Sequence, residues 1–200
     1  MLLLVVGLAI LIGTHLVTMN RELRAGLIDR FGETPYKLVY SAFSLVGLAV
    51  IVVGYHKLQL APGKNPEIWT PPFALRHIAF LLLLPAMIFL VAAYVPSRIR
   101  TWVGHPFLVA IKLWAFAHLL ANGDLASIAL FGSLLAYAIA DRISIKHRTD
   151  GSGRRPLGAT PGTLTGDLIA VVGGVALYGA LVLGLHRWLF GVAPLPQWSM

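Results

Sequence analysis

Cysteine is absent from this sequence and charged side chains are scarce, at 12% of 200 residues. Without cysteine the chain forms no disulfide, no thiolate metal site and no thiol redox centre. Soluble domains carry about 25% charged residues, whereas this chain has half that share, with 58% hydrophobic residues and a mean hydropathy of +0.79. The composition therefore indicates a protein whose solvent is a lipid bilayer.

Motifs for hydrolysis and phosphoryl transfer are also missing. The sequence contains no HExxH pair, no glycine-rich phosphate loop, no GxSxG elbow and no paired carboxylates within an apolar run. No internal repeat of useful length is present either. These absences leave hydrolase and phosphotransfer chemistry without support.

Six apolar runs approach the roughly 20 residues that a helix needs to cross the hydrocarbon layer. We predict an all-α, polytopic transmembrane helix bundle of about six spans that forms a single domain over residues 1–200. The predicted spans are 2–18, 38–56, 73–95, 105–122, 125–141 and 168–189. In span 6, small residues recur at four-residue spacing, which predicts a face for close helix packing at Ala176, Ala180 and Gly184.

Only Asn122, Gly123 and Asp124 separate span 4 from span 5. So short a connection predicts a tight antiparallel helical hairpin, with a re-entrant hairpin as the alternative. Gly123 suits the left-handed position after a helix, and Asp124 suits the N-cap of the next helix. We expect Asp167 to cap span 6 in the same way.

The net charge of +8 is distributed unevenly along the chain. Loops 19–37, 96–104 and 142–166 hold eleven of the sixteen Lys and Arg residues. By the positive-inside rule these loops are cytoplasmic and both termini lie outside. The charge therefore serves topology and lipid contact, and we expect no nucleic-acid partner. Loop 142–166 is rich in Gly, Pro, Ser and Thr, which predicts a flexible segment.

Histidines within or beside the spans are the main candidates for a site, because polar groups in a bilayer are costly and usually functional. They are His15, His77, His105 and His118. Neutral imidazole is the commonest metal ligand and an axial ligand of haem. The alternative for each is a hydrogen bond between helices or a position at the headgroups, and we favour that alternative for His56 and His186.

His118 has the most informative surroundings of these residues. Trp114 lies one helical turn before it and Asn122 one turn after it, so both can contact the ring. Lys112 can extend to the headgroups, or it can pair with a carboxylate or a haem propionate. His105 lies 13 residues from His118, roughly 20 Å along one helix, so the two cannot hold the same metal ion.

The segments IGTHL, RFGETPYKLVYSAFSLVGLAVIVVGY, GHPFLVAIKLWAFAHLLANGD, FGSLLAYAIADRIS, DLIAVVGG and LHRWLFGV together resemble the NnrU family over nearly the whole chain. The resemblance implies a bacterial inner-membrane protein linked to nitrogen-oxide metabolism. Members are required in denitrifying bacteria for nitrite and nitric oxide reductase activity. Other denitrification or redox membrane proteins are therefore expected partners, together with the lipid bilayer.

The family is also similar to the plant zeta-carotene isomerase, a haem b enzyme of membranes. That similarity implies haem iron held by His118 and His15. The isomerase has a cysteine three residues before the second histidine where this chain has Ala115, which puts a thiolate switch in doubt. The predicted topology places His15 and His118 toward opposite faces of the membrane, so pairs of His15 with His105, or of His77 with His118, fit the topology better.

Three hypotheses stay open from the sequence. The first is an NnrU-like protein that binds haem b and supports denitrification. The second is a haem-dependent cis–trans isomerase of a carotenoid. The third is a cofactor-free membrane scaffold or transport accessory, in which the histidines are packing residues.

Overall fold

The computed structural model describes residues 1–61, 63–148 and 161–195, and within these ranges the chain is helical and forms no β-strand. The helices are α1 (Leu2–Met19), α2 (Arg21–Phe31), α3 (Glu33–Gln59), α4 (Phe73–Ala92), α5 (Arg98–Val103), α6 (Pro106–Ala121), α7 (Leu125–Lys146), α8 (Leu164–Ala180) and α9 (His186–Phe190). A π-helical turn, Leu181–Leu185, joins α8 to α9. The predicted all-α fold is confirmed.

In the part of the chain that the structure describes, five helices are long and apolar enough to cross a membrane: α1, α3, α4, α7 and the continuous stretch Leu164–Phe190. The sixth apolar helix, α6, has 16 residues and is about 24 Å long, which is short for a hydrocarbon layer of about 30 Å. The chain is therefore a multi-pass helical membrane protein.

The loops contain more helix than the sequence predicted. Helix α2 lies in loop 19–37 and α5 in loop 96–104, and α7 continues to Lys146 instead of ending at residue 141. Asn20 and Ser97 cap α2 and α5, each accepting a backbone hydrogen bond at 3.0 Å. A search for apolar runs misses such helices because they are short and carry charged residues. Residues 149–160 of the predicted flexible loop lie outside the described residues.

Of the predicted turn residues, only Asp124 has the expected role. Its Oδ1 accepts a hydrogen bond from the Ser127 backbone N–H at 2.9 Å, which caps α7. Gly123 is not among the glycines with positive φ; its carbonyl instead accepts from the Ile68 N–H at 2.8 Å. Asp167 does not cap α8, because Thr163 accepts the hydrogen bond from the Gly166 N–H.

The chain falls into two compact units. Unit 1 comprises Met1–Thr70 and Asn122–Ser144, and unit 2 comprises Pro71–Ala121 and Ile145–Met200. Helix α6 belongs to unit 2 and most of α7 to unit 1. The hairpin packing of spans 4 and 5, the single domain and the outside position of both termini therefore stay predictions.

Unit 1 is built on α1 packed along α3. Glycines make the approach close: a Cβ on Gly7 would lie 2.6 Å from the Ile51 nitrogen, and one on Gly54 would lie 2.6 Å from the Leu4 nitrogen. Lipid is as apolar as leucine, so helices in a bilayer associate through close packing at small residues. These glycines let the two backbones touch.

In unit 2, α4 packs against both α6 and α8. A Cβ on Gly174 would lie 2.5 Å from the Ile88 Cα. The buried small-residue face of α8 is Gly166, Ala170 and Gly174. The predicted face was wrong, since Ala176, Ala180 and Gly184 are all exposed. Small residues at four-residue spacing thus occur in two sets along this stretch, and spacing alone does not tell which set packs against a neighbouring helix.

Hydrogen bonds within unit 2 join two segments that are predicted to be cytoplasmic, one before α5 and one before α8. The Arg98 guanidinium donates to the Asp167 carboxylate at 2.8 Å, and the Ile99 N–H donates to its other oxygen at 3.0 Å. The Thr163 N–H donates to the Pro96 carbonyl at 3.0 Å. These bonds tie the start of α5 to the start of α8, in agreement with their prediction on one side of the membrane.

A polar cluster around Asp124 joins segments of unit 1 that are predicted to lie on the outer side of the membrane. Its carboxylate accepts from the Ser127 hydroxyl at 2.6 Å and from the Asn65 amide at 2.7 Å. The Ser127 hydroxyl also bonds the Tyr55 hydroxyl at 2.8 Å. Burial by itself would raise the pKa of Asp124, but the hydrogen bonds from Ser127, Asn65 and Gln59 together outweigh it and lower the pKa.

Replacing Gly7 by Ala should destabilise the protein, because the new methyl group meets the α3 backbone. Overpacking costs about 1–3 kcal/mol, so thermal unfolding in detergent should begin several degrees lower. Gly13→Ala is the matched control, since it lies in the same helix and a Cβ there has no neighbour within 4 Å. Equal unfolding temperatures for the two variants would contradict the close packing of α1 on α3.

Acid should weaken the Asp124 cluster in the folded protein. A carboxylate whose folded pKa is below its unfolded value stabilises the fold above the unfolded pKa, and this contribution disappears as pH falls through the folded pKa. We expect Asp124→Asn to lower the unfolding temperature at pH 7 and to lose less further stability than the wild type on acidification. An identical acid-induced loss in both proteins would exclude this role.

Candidate functional site

His118, on α6, is fixed by its own helix. Its Nδ1 lies 2.8 Å from the Trp114 carbonyl oxygen, one turn earlier. A carbonyl oxygen only accepts hydrogen bonds, so Nδ1 carries the proton, and Nε2 of the neutral ring keeps its lone pair. The Trp114 indole also packs on the ring, with centres 5.0 Å apart. The predicted contact between Trp114 and His118 is confirmed.

His186 reaches the same region through an irregular segment. The helix widens into the π-helical turn Leu181–Leu185 directly before it. After α9, Gly191 adopts a φ of 75°, which glycine reaches without steric cost. The chain thereby turns back, and the Val192 carbonyl accepts the hydrogen bond from His186 Nδ1 at 2.7 Å. Nε2 of His186 is therefore also left with its lone pair.

The two imidazole rings lie beside each other within unit 2. Their centres are 6.4 Å apart, and their planes differ by 19°. Phe190 packs on His186 with ring centres 4.9 Å apart. Trp114 and Phe190 thus give the pair an aromatic, apolar surrounding. Two nearly parallel rings, each anchored through Nδ1, form the candidate site.

The ring centres of His118 and His186, 6.4 Å apart, have a separation close to that of two imidazoles bound to one metal. Imidazole nitrogen binds a metal at about 2.0–2.1 Å, so a metal bound linearly by two rings would hold the ring centres roughly 6 Å apart. Among the described residues, however, no group of three or more His, Cys, Asp or Glu could hold a bare metal ion. The arrangement therefore fits a metal that arrives with further ligands of its own.

His15 has the same internal bond but a different position. Its Nδ1 lies 2.8 Å from the Leu11 carbonyl oxygen, and its ring packs on Tyr40 and Tyr137, with centres 5.3 and 5.6 Å away. All of these residues belong to unit 1, whereas His118 belongs to unit 2. The pairing of His15 with His118 therefore stays a prediction.

The other predicted site residues are spread over the fold. His77, on α4, packs its ring on Phe73 at 5.1 Å. His105 precedes the first residue of α6, and Lys112 lies half-buried on that helix. Asn122 is assigned to unit 1, whereas the residues of α6 are assigned to unit 2. The proposed pairs of His77 with His118 and of His15 with His105 are untested, as is the role of Asn122.

Sequence reasoning missed His186, Phe190 and the Val192 carbonyl. His186 lies at a span end, where an interfacial histidine is the ordinary expectation. The segment LHRWLFGV contains both His186 and Gly191, but no pattern in it announces a π-helical turn. The glycine after the apolar run was the one available signal, since a C-terminal glycine often lets the chain reverse.

Fold and site together describe a multi-pass helical membrane protein in which two histidine rings, each anchored through Nδ1, lie beside each other. The family model described as NnrU protein matches residues 3–194. The chain belongs to the NnrU family, as its sequence motifs predicted. No curated protein and no solved structure matches the chain.

The ring hydrogen bonds of the pair predict a specific tautomer. In protein labelled with nitrogen-15 histidine and free of metal, His118 and His186 should both show a protonated Nδ1 and an unprotonated Nε2. Nitrogen chemical shifts distinguish the two nitrogens, and the His118→Gln and His186→Gln variants assign the signals. A protonated Nε2 on either neutral ring would contradict the geometry.

Proposed function

We propose that this NnrU family protein binds haem b in the bacterial inner membrane, with His118 as an axial ligand, and thereby supports nitrogen-oxide metabolism. The observation that carries the proposal is the His118–His186 pair, with ring centres 6.4 Å apart. Haem, when bound, supplies an iron that transfers electrons.

The donor set favours haem over a bare metal ion. A porphyrin brings four nitrogen ligands and needs only one or two from the protein, and histidine is a usual choice. Two imidazoles, without a third histidine or a carboxylate beside them in the described chain, match that need. Helix bundles commonly build cofactor sites from side chains on facing helices.

The chain's own residues would hold the ligands in place. The hydrogen bond from His118 Nδ1 to the Trp114 carbonyl fixes the tautomer and the orientation of the ring. It also raises the basicity of Nε2 as a metal ligand. The Val192 carbonyl does the same for His186. Trp114 and Phe190 pack on the two rings, and apolar neighbours of this kind tune the potential of a bound metal.

Two partners for His118 are in competition. His186 is favoured by its position beside His118 within unit 2. His15 is favoured by the similarity to zeta-carotene isomerase, and its Nδ1 is anchored on a carbonyl in the same manner. We propose His118 with His186 as the axial pair and treat His15 as the alternative.

Absorption spectra of single variants decide between these partners. The wild type, expressed with ample haem and purified in detergent, should show a Soret band. His118→Ala should lose at least nine-tenths of it, His186→Ala should shift or lose it, and His15→Ala should leave it unchanged. His147→Ala, in the segment after α7, is the matched control. Loss in His15→Ala with none in His186→Ala would favour the pair carried by similarity, and a wild type without haem would overturn the proposal.

A deletion strain tests the physiological role. In a denitrifying host, loss of the gene should abolish reduction of nitrite and nitric oxide, and the wild-type gene should restore it while the His118→Ala gene does not. Accumulation of a cis-carotene with normal denitrification would instead support the isomerase hypothesis. Restoration by His118→Ala would contradict a role for haem and favour a cofactor-free scaffold.

A further inference from the structure

A groove of about 510 Å³ lies within unit 1, among α1, α2 and α3. Small-molecule sites in proteins commonly measure about 300–1,000 Å³. Its walls include Gly13 and Val17 of α1, Leu27 and Phe31 of α2, and Tyr36 and Phe43 of α3. The lining is mostly apolar, so an occupant must be apolar over most of its length.

The charged residues of helix α2 are distributed unevenly around this groove. Leu27 and Phe31, one turn apart, form its lining stripe. Arg24 and Arg30 flank that stripe, and by helical spacing both acidic residues of the helix, Glu22 and Asp29, lie on the opposite side. The groove side of α2 is therefore locally positive, although the helix as a whole is nearly balanced.

The two arginines also sit directly on groove-lining rings. The Arg24 guanidinium lies over the Tyr36 ring, 5.7 Å from its centre, and the Arg30 guanidinium lies over the Phe31 ring at 5.3 Å. The neighbouring carboxylate of Glu33 is already paired with Lys37 at 2.8 Å. Two cations thus stand at the rim of an apolar groove, and the Glu33 carboxylate near Arg24 forms its ion pair with Lys37.

One polar group in the groove wall lacks a partner. The Tyr36 hydroxyl is buried, and it forms no hydrogen bond with any residue that the structure describes. Buried polar groups are nearly always hydrogen-bonded, because desolvation without a bond costs about 1–3 kcal/mol. Surrounding protein atoms therefore close this hydroxyl off, and it is the rings of the lining residues that an occupant of the groove would meet.

We propose that this groove binds one anionic phospholipid from the cytoplasmic leaflet. An acyl chain lies along the apolar lining, and the phosphate contacts Arg24 and Arg30. Helix α2 has the composition of a helix lying at the membrane surface, and its loop is predicted to be cytoplasmic, where anionic headgroups attract basic residues. This inference is independent of haem and of the histidine pair.

Native mass spectrometry of the full chain in detergent tests the proposal. Phosphatidylglycerol and phosphatidylcholine with identical acyl chains are titrated separately. We expect one phosphatidylglycerol to bind at least tenfold more tightly than phosphatidylcholine. Equal binding of the two lipids would overturn the proposal, because it would reduce the groove to ordinary lipid contact.

Charge variants test the headgroup contact. Arg24→Gln with Arg30→Gln should remove the tenfold preference, whereas Lys57→Gln with Lys64→Gln removes the same charge elsewhere in unit 1 and should retain it. A preference that survives the arginine variant, or one that the lysine variant loses equally, would contradict the proposed contacts.

Filling the groove tests the contact with the lipid's acyl chain. A Cβ on Gly13 would point into open space with no atom within 4 Å, and the same is true of Gly26 on α2, which does not line the groove. Gly13→Leu should therefore abolish lipid binding at an unchanged unfolding temperature, and Gly26→Leu should leave both unchanged. If Gly13→Leu fails to fold, the arginine variants still decide. Recovery of a neutral prenyl quinone as the bound molecule, kept by the arginine variant, would overturn the proposal.

Discussion

A histidine inside a bilayer must satisfy its polar nitrogens without water, and this constraint organises the candidate site. His118 gives its Nδ1 proton to the Trp114 carbonyl one turn earlier, and His15 gives its own to Leu11 in the same way. His186 cannot rely on a regular turn, so the reversal at Gly191 brings the Val192 carbonyl to it. Each bond satisfies one nitrogen with a main-chain oxygen and leaves the other nitrogen with a lone pair. These hydrogen bonds thus make the residues tolerable in lipid, and they support the proposed role of His118 and His186 as ligands.

Glycine contacts provide the scaffold that holds such side chains. In unit 1, Gly7 and Gly54 bring α1 and α3 to backbone contact, and in unit 2, Gly174 does so for α8 and α4. Backbones this close leave no room for side chains at the crossing points, so the larger residues collect elsewhere. In unit 1, Gly13 lies away from these contacts and lines the open groove. Close packing and an open groove thus occur along the same helix, α1.

Apolar run length predicted the spans well, because a bilayer imposes a length on every crossing helix. Asp124 was also predictable, since a short acidic side chain directly before an apolar helix has one favourable place to bond. The surface helices α2 and α5 were not, because their stability depends on caps and neighbours more than on hydropathy. His186 was not predictable either. Its position follows from the π-helical turn, within which Gly184 leaves the helical φ/ψ region, and a search for apolar runs does not detect such a turn.

The central claim is that one haem lies between His118 and His186, and electron paramagnetic resonance of the ferric protein tests it most directly. Two imidazole ligands make ferric haem low-spin, so the wild type should give a low-spin rhombic signal. Removal of one ligand should convert the signal to the high-spin form, and we expect this in His186→Ala and not in His15→Ala. A wild-type low-spin signal that is unchanged in His186→Ala would contradict the account.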